Sequence, residues 1–120
     1  MPRILLIEDE PEHIALVRMR LQAAGLEVTA ALTGAEGAEA AALESPDLVL
    51  TDLMLPDMEP AELLRRLHAA CPAPVVAFTA LDPFEISRRK LLPGLAGIIP
   101  KPYEPALLAG EIEKYLKPGP

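Results

Sequence analysis

Aromatic residues are scarce in this sequence: they make up 3% of its 120 residues, and tryptophan is absent. The interior must therefore be packed mainly from aliphatic side chains, within a hydrophobic content of 51%. Cys71 is the single cysteine, so no disulfide can form within the chain, which is consistent with a reducing compartment. A chain of this length fits one domain with one core.

Basic residues are also few, because 11 Lys and Arg face 18 Asp and Glu for a net charge of -7. This balance argues against a nucleic-acid surface on this domain, since phosphate contacts need a basic face. A separate DNA-binding domain downstream is not excluded. No apolar run approaches membrane-spanning length, and Ile4–Ile7 is too short for a signal peptide. We expect a soluble, cytoplasmic protein with no membrane partner.

Apolar runs alternate with helical patterns five times, which favours an α/β fold with a parallel sheet and helices on both faces. The predicted strands are Arg3–Glu8, Glu27–Leu32, Asp47–Thr51, Pro74–Thr79 and Ile98–Ile99. The predicted helices begin near Pro11, Thr33, Pro60, Pro83 and Pro105, where a first helical turn tolerates proline or is capped. We predict one domain over residues 1–117 and a tail or linker start over residues 118–120.

Four polar groups each follow one of the apolar runs: Asp9, Asp52, Thr79 and Lys101. If the strands lie side by side, their carboxyl ends deliver these groups to one rim, where open α/β sheets bind ligands. Two carboxylates, with Glu8 beside them, attract a hard cation such as Mg²⁺, and a hydroxyl and a lysine suit a phosphoryl group. The pattern indicates chemistry on an aspartate, with Asp52 as a nucleophile that forms an acyl phosphate.

Each of these residues also has an ordinary structural interpretation. The acidic run Glu8–Glu10 could be a solvated turn before a helix, where the helix dipole favours acids. Asp52 could cap a turn, Thr79 could be a β-branched strand residue, and Lys101 could be an exposed lysine. The prolines that flank Lys101 argue against the last interpretation, because they fix where its side chain points.

Together these features resemble the receiver domain of bacterial two-component response regulators. The matching segments are Leu5–Glu10, Thr51–Met58, Phe78–Ala80 and Lys101–Tyr103, and the resemblance covers essentially the whole chain. It implies a doubly wound, flavodoxin-like sheet of five strands in the order 2-1-3-4-5. It also implies a phosphoprotein that acts as a phosphorelay switch, with at most intrinsic autophosphatase activity.

The resemblance further implies a role for each matching residue. Asp52 would accept phosphate from a histidine kinase or a phosphotransfer protein. Asp9, Asp52 and the backbone carbonyl of Met54 would bind Mg²⁺, and Glu8 would act through water. Thr79 would bond the phosphoryl group and Lys101 would pair with it, next to a cis bond to Pro102. A downstream effector domain or partner and a homodimer are possible.

Three parts of the sequence depart from the family pattern. Ile98 stands three residues before Lys101, where receivers commonly carry Tyr or Phe as a switch residue. Pro60 replaces a usual Gly, and Ala96 with Gly97 replaces an acidic pair that supports the usual dimer of transcriptional members. We therefore expect the aromatic half of the switch to be missing, and the usual dimer cannot be assumed.

Other functions fit less well. A receiver-like interaction module that works without phosphorylation is the main alternative, and Ile98 motivates it. An aspartyl-phosphate hydrolase would need an acid where Met54 stands, and a flavin protein would need a phosphate loop where the chain has acids. His13 and His68 are predicted to be surface histidines. The segment Arg88–Lys90 is interpreted as a solvated helix face or part of a partner surface.

Overall fold

A computed structural model describes residues 1–116, and within them five strands alternate with five helices. In chain order these are β1 (Arg3–Ile7), α1 (Pro11–Ala23), β2 (Glu27–Ala31), α2 (Gly34–Glu44), β3 (Leu48–Thr51), α3 (Pro60–Ala70), β4 (Val75–Thr79), α4 (Pro83–Arg88), β5 (Gly97–Pro100) and α5 (Leu108–Glu113). One-turn 3-10 helices precede β5 and α5. The predicted tail at residues 118–120 lies outside the described residues. No helix that the structure describes is long and apolar enough to cross a membrane.

The five strands form one parallel sheet in the order β2-β1-β3-β4-β5. This confirms the predicted fold class and strand order. The register places the end of β1 beside that of β3 (Ile7 and Thr51) and the end of β4 beside that of β5 (Thr79 and Pro100). Because Thr51 lies beside Ala77, β4 extends two residues beyond β3. The residues that follow β1, β3 and β5 therefore meet at one edge of the sheet.

Side chains alternate between the two faces of the sheet and build two aliphatic cores. On β1, Leu5 and Ile7 belong to the core under α2, α3 and α4, whereas Ile4 and Leu6 belong to the core under α1 and α5. Because each inner strand is covered on both faces, it has to be apolar throughout, which is why the strands read as short continuous runs. Phe78 is the largest fully buried side chain, as expected for a chain with so few aromatics.

The helix starts follow the sequence prediction with two differences. Thr33 caps α2 by accepting the Glu36 backbone N–H at 3.1 Å, but the Glu36 carboxylate accepts from Leu32 and not from the cap residue itself. The last helix does not begin directly after Pro105, because residues 105–107 form a 3-10 turn with a bond from Leu107 N–H to the Glu104 carbonyl. The regular helix α5 starts after that turn.

Candidate functional site

The carboxyl edge of the sheet holds a charged group whose centre is Lys101. Its ammonium donates to Glu8 Oε1 at 2.8 Å and to Asp52 Oδ2 at 3.1 Å, so residues from β5, β1 and β3 meet in one contact. The ammonium also lies 5.1 Å from the centre of the Phe78 ring, within range of a cation–π contact. The Lys101–Pro102 peptide bond is cis, as the resemblance implied.

The ion pairs of Lys101 are largely withdrawn from water. The side chain of Glu8 is 0% exposed, that of Asp52 14% and that of Lys101 17%. Burial lowers the pKa of Lys101, but its hydrogen bonds to Glu8 and Asp52 and their charges outweigh this and raise the pKa above its usual value. Lys101 is therefore a fixed cation at neutral pH, and removing it would leave two carboxylates facing each other.

Asp52 is held by the backbone and left accessible on one side. Its own N–H donates to the Ile7 carbonyl at 3.0 Å, and its Oδ1 accepts the Met54 N–H at 3.0 Å. Each carboxylate oxygen thus has one donor, Met54 for Oδ1 and Lys101 for Oδ2, and keeps further lone pairs. A carboxylate oriented in this way can attack an incoming electrophile.

Thr79 lies at the same edge but its side chain is engaged locally. It is 1% exposed, and its hydroxyl oxygen accepts the Leu81 N–H at 3.0 Å. Its carbonyl accepts the Lys101 N–H at 2.9 Å, which joins the ends of β4 and β5. The hydroxyl proton remains available as a donor to a group bound at this edge.

The acidic run after β1 provides oxygen ligands for a cation. Carboxylate oxygens of Glu8, Asp9 and Glu10 lie within 4.8 Å of one another, with Asp9 and Glu10 exposed. Asp52 is joined to Glu8 through Lys101 and does not belong to that cluster. Hard carboxylate oxygens are the ligands that Mg²⁺ takes, and exposed ones such as those of Asp9 and Glu10 leave room for water in the remaining positions. The residues present therefore fit this ion.

His13 does not lie on the surface, so that prediction was wrong. Its side chain is 18% exposed; Nδ1 lies 2.7 Å from Glu8 Oε1 and Nε2 lies 2.8 Å from the Tyr103 hydroxyl. The error arose because the apolar spacing of α1 marks only the residues that face the core. His68 is exposed as predicted, and its Nε2 lies 2.7 Å from the Gly94 carbonyl oxygen.

Asp57 is a second residue whose contacts the sequence did not reveal. Its carboxylate accepts the N–H groups of Gly34 at 2.9 Å and Ala35 at 3.0 Å, so the loop after β3 caps the start of α2. These backbone hydrogen bonds lower the pKa of Asp57 below its usual value. In the sequence, the order Leu-Pro-Asp indicates a turn in this loop. It does not indicate which helix Asp57 caps.

The strand β5 differs from the family pattern at Ile98, as the sequence indicated. Ile98 is half-buried beside Ala77 and packs against the core under α2, α3 and α4. It also lines a shallow apolar groove between β5 and α5, together with Tyr103 and Leu107. A Cβ atom at Gly97 would clash with the ring of Tyr115. The ring can therefore pack against this position of β5 only because glycine has no side chain.

The basic segment after α4 is partly neutralised by its own helix. Arg88 and Arg89 both pair with Glu85, at 2.7 Å and 3.5 Å. Such exposed pairs contribute little to stability. This arrangement fits the solvated-face interpretation, and Lys90 follows in a turn with a φ of 60°.

Comparison with known proteins identifies relatives over nearly the whole chain. The family model described as "Response regulator receiver domain" matches residues 4–113. The DNA-binding dual master transcriptional regulator RpaA of Synechocystis is 32% identical over 120 residues, which cover 98% of this chain and 50% of RpaA. The chain therefore spans about half the length of the curated relatives it matches.

Solved structures with the same fold include two that are 32% identical to this chain. A CheY-like response regulator receiver domain protein from Methanospirillum hungatei superposes with a TM-score of 0.86 over 95% of this chain and 92% of its own. The BeF3-activated N-terminal receiver domain of RstA from Klebsiella pneumoniae gives a TM-score of 0.85 over 97% of this chain and 99% of its own. Both are similar to this chain over its full sheet.

Proposed function

The chain belongs to the response regulator receiver domain family, and from that premise we propose that it is a phosphorylation-controlled switch with Asp52 as its phosphoryl acceptor. The supporting observation is the contact of the Asp52 carboxylate with the Lys101 ammonium at 3.1 Å, at the edge where the parallel strands end. A nucleophilic oxygen and a cation for the incoming phosphoryl group lie side by side there.

The proposed donor is a phosphohistidine of a histidine kinase or of a phosphotransfer protein. One oxygen of Asp52 attacks phosphorus; a P–O bond forms while the P–N bond breaks, and the leaving imidazole keeps the electron pair and takes a proton from solvent. The product is a mixed anhydride of the Asp52 carboxyl group. Attack by water later returns phosphate, so the domain is a switch with at most autophosphatase activity.

Each polar group at the edge has a proposed part in this transfer. Lys101 already lies between two carboxylates and can move toward phosphoryl oxygens, and the Thr79 hydroxyl can donate to another of them. Asp9, Asp52 and the Met54 carbonyl would hold Mg²⁺, with Glu8 acting through water. When bound, this ion neutralises charge on the phosphoryl oxygens.

The output of the switch is proposed from the relatives. RpaA is described as a DNA-binding transcriptional regulator, and the chain covers about half of its length. We propose that this domain works with a downstream effector domain or partner that regulates transcription in the cytoplasm. The net charge of -7 argues against a nucleic-acid surface on the domain itself.

The test is incubation with acetyl phosphate and Mg²⁺, followed by mass spectrometry of the intact chain. We expect a gain of one phosphoryl group that hydroxylamine removes and that is absent in Asp52→Asn. The matched control is Asp57→Asn, a nearby carboxylate in the same loop, which should still gain the group. An unmodified wild-type chain would contradict the proposal and favour an interaction module that works without phosphorylation.

A further inference from the structure

The buried Glu8 carboxylate accepts hydrogen bonds from two side chains, Lys101 and His13. Lys101 Nζ and His13 Nδ1 both contact its Oε1, at 2.8 Å and 2.7 Å. Glu8 is 0% exposed, so water cannot replace either donor without a rearrangement. A buried carboxylate that loses its hydrogen-bond donors is costly.

The position of the imidazole proton follows from its neighbours. An ionised carboxylate only accepts hydrogen bonds. Nδ1 of His13 must therefore be protonated, so that it donates the hydrogen bond to Glu8. In the neutral ring Nε2 then accepts from the Tyr103 hydroxyl, 2.8 Å away. Burial raises the pKa of Tyr103, which keeps that hydroxyl protonated as a donor at neutral pH. The Glu8 carboxylate thus sets the tautomer of His13, and the Tyr103 hydroxyl is compatible with it.

Ring packing fixes the imidazole in this place. The His13 ring stacks on Phe78 with centroids 5.2 Å apart, and Tyr103 packs on the same ring at 4.9 Å. Phe78 is 0% exposed and belongs to β4. His13 is therefore held between the sheet and the loop after β5, with little freedom to leave Glu8.

We propose that His13 is a positioning residue for the Asp52 site, and that it keeps Glu8 in place when Lys101 turns from Glu8 to the phosphoryl group. This rests on the proposed function. In the resting chain Lys101 divides its hydrogen bonds between Glu8 and Asp52. Transfer of the ammonium to a phosphoryl oxygen takes one donor from Glu8, and the Nδ1–H of His13 is then the protein donor that remains, beside the water through which Glu8 is proposed to act on Mg²⁺.

Two substitutions of His13 separate its two contacts. Asn places an amide nitrogen at the position of Nδ1. The variant His13→Asn therefore keeps a donor for Glu8 and loses the contact with the Tyr103 hydroxyl. Gln places its amide at the position of Nε2, so His13→Gln loses the donor for Glu8. We expect phosphorylation by acetyl phosphate and Mg²⁺ to slow about tenfold in His13→Gln, as for one charge-assisted hydrogen bond, and no more than about threefold in His13→Asn.

A second measurement does not depend on phosphoryl transfer. Correlation of imidazole protons with ¹⁵N should show a protonated Nδ1 and an unprotonated Nε2 in the resting wild-type chain. The protonated Nδ1 should persist after Mg²⁺ and beryllofluoride are added. In Tyr103→Phe, which lacks only the hydroxyl, the unprotonated Nε2 signal should shift. This variant also serves if His13→Gln does not fold.

The outcomes separate the two proposals. If wild type is phosphorylated and His13→Gln reacts equally fast, the role of His13 is wrong and the function of Asp52 stands. An unprotonated Nδ1, or equal losses in the Asn and Gln variants, also overturns the role of His13. If wild type itself is not phosphorylated, the proposed function fails and the inference fails with it.

Discussion

The two ends of β5 are built by different physics. At its carboxyl end Lys101 is held by charge-assisted hydrogen bonds to Glu8 and Asp52, two residues from other strands. At its amino end Gly97 lies under the ring of Tyr115, and the neighbouring contacts are apolar. We call these the charged end and the apolar end of the strand.

A site with the residues typical of the family can thus lie beside a surface that departs from the family pattern. The charged end depends on the types and directions of a few polar groups, so its geometry follows from short motifs. The apolar end depends on shape, where a glycine and a tyrosine far apart in sequence fill one space. Ile98 and Ile99 lie between the two ends along the strand, with Ile98 beside Ala77 of β4.

The largest effect should come from removing the cation of the charged end. Lys101→Met leaves Glu8 and Asp52 facing each other without a counter-charge, and it removes the partner of the phosphoryl group. We expect phosphorylation by acetyl phosphate to slow about 100-fold, the usual cost of losing a donor that stabilises developing charge. The rate is measured by intact mass over time.

The control for that change is Lys114→Met. Lys114 is an exposed lysine that pairs with Glu111 at 3.1 Å, away from the edge. Its replacement should leave the rate unchanged. Equal rates in the two variants would show that Lys101 has no special part in the transfer.

The apolar end should respond in stability. Gly97→Ala places a methyl group against the Tyr115 ring, and we expect a loss of about 1–2 kcal/mol in the free energy of unfolding, as for overpacking. Gly110→Ala is the matched control, because nothing lies within 4 Å of a Cβ at that position. It should be neutral or stabilising by about 0.5 kcal/mol. Urea unfolding measures both, and a Gly97→Ala chain as stable as the control would contradict the contact.

The loop beside the charged end should respond to acid. Asp57→Ala removes the acceptor for two N–H groups of α2, and we expect a loss of about 1 kcal/mol, typical of a helix cap. Because these bonds lower the pKa of Asp57, its contribution is present above the ordinary value of 3.8 and is lost as the pH falls through the lower folded value. Wild type and variant should therefore converge in stability in strong acid. A constant difference from pH 7 to strong acid would argue against this role.

The smallest effect is expected where the two ends meet. Ile98→Tyr restores the aromatic side chain common in the family, but Ile98 packs on the core under α2, α3 and α4. We expect the activation free energy of phosphorylation to change by no more than about 0.5 kcal/mol, which corresponds to roughly twofold in the rate. A large change would show that the two ends are coupled through this side chain.

Much of the fold could be predicted because the sheet is covered on both faces. Continuous apolar runs such as Leu48–Leu50 are typical of buried parallel strands. The polar residue after each run marks the end of the strand. The strand order came from the resemblance, since alternation alone is compatible with several orders. Helix starts were marked by prolines and by the cap Thr33.

The site was predicted less completely, for a physical reason. Motifs indicated which residues reach the edge, but not how they divide their hydrogen bonds. Glu8 was identified as an acidic residue at this edge, but its full burial between Lys101 and His13 was not predicted. That contact depends on the rotation of α1 and on the loop that contains Tyr103. Gly97 and Tyr115 were missed because close packing between distant residues leaves no local pattern.

The most direct test of the switch is a crystal structure of the chain with Mg²⁺ and beryllofluoride, which mimics a phosphoryl group. We expect beryllofluoride on the Asp52 carboxylate, with Lys101 Nζ moved from Glu8 to a fluorine and His13 Nδ1 still in contact with Glu8. A structure in which Asp52 is unmodified, or in which Lys101 stays on Glu8 while beryllofluoride is bound, would contradict it.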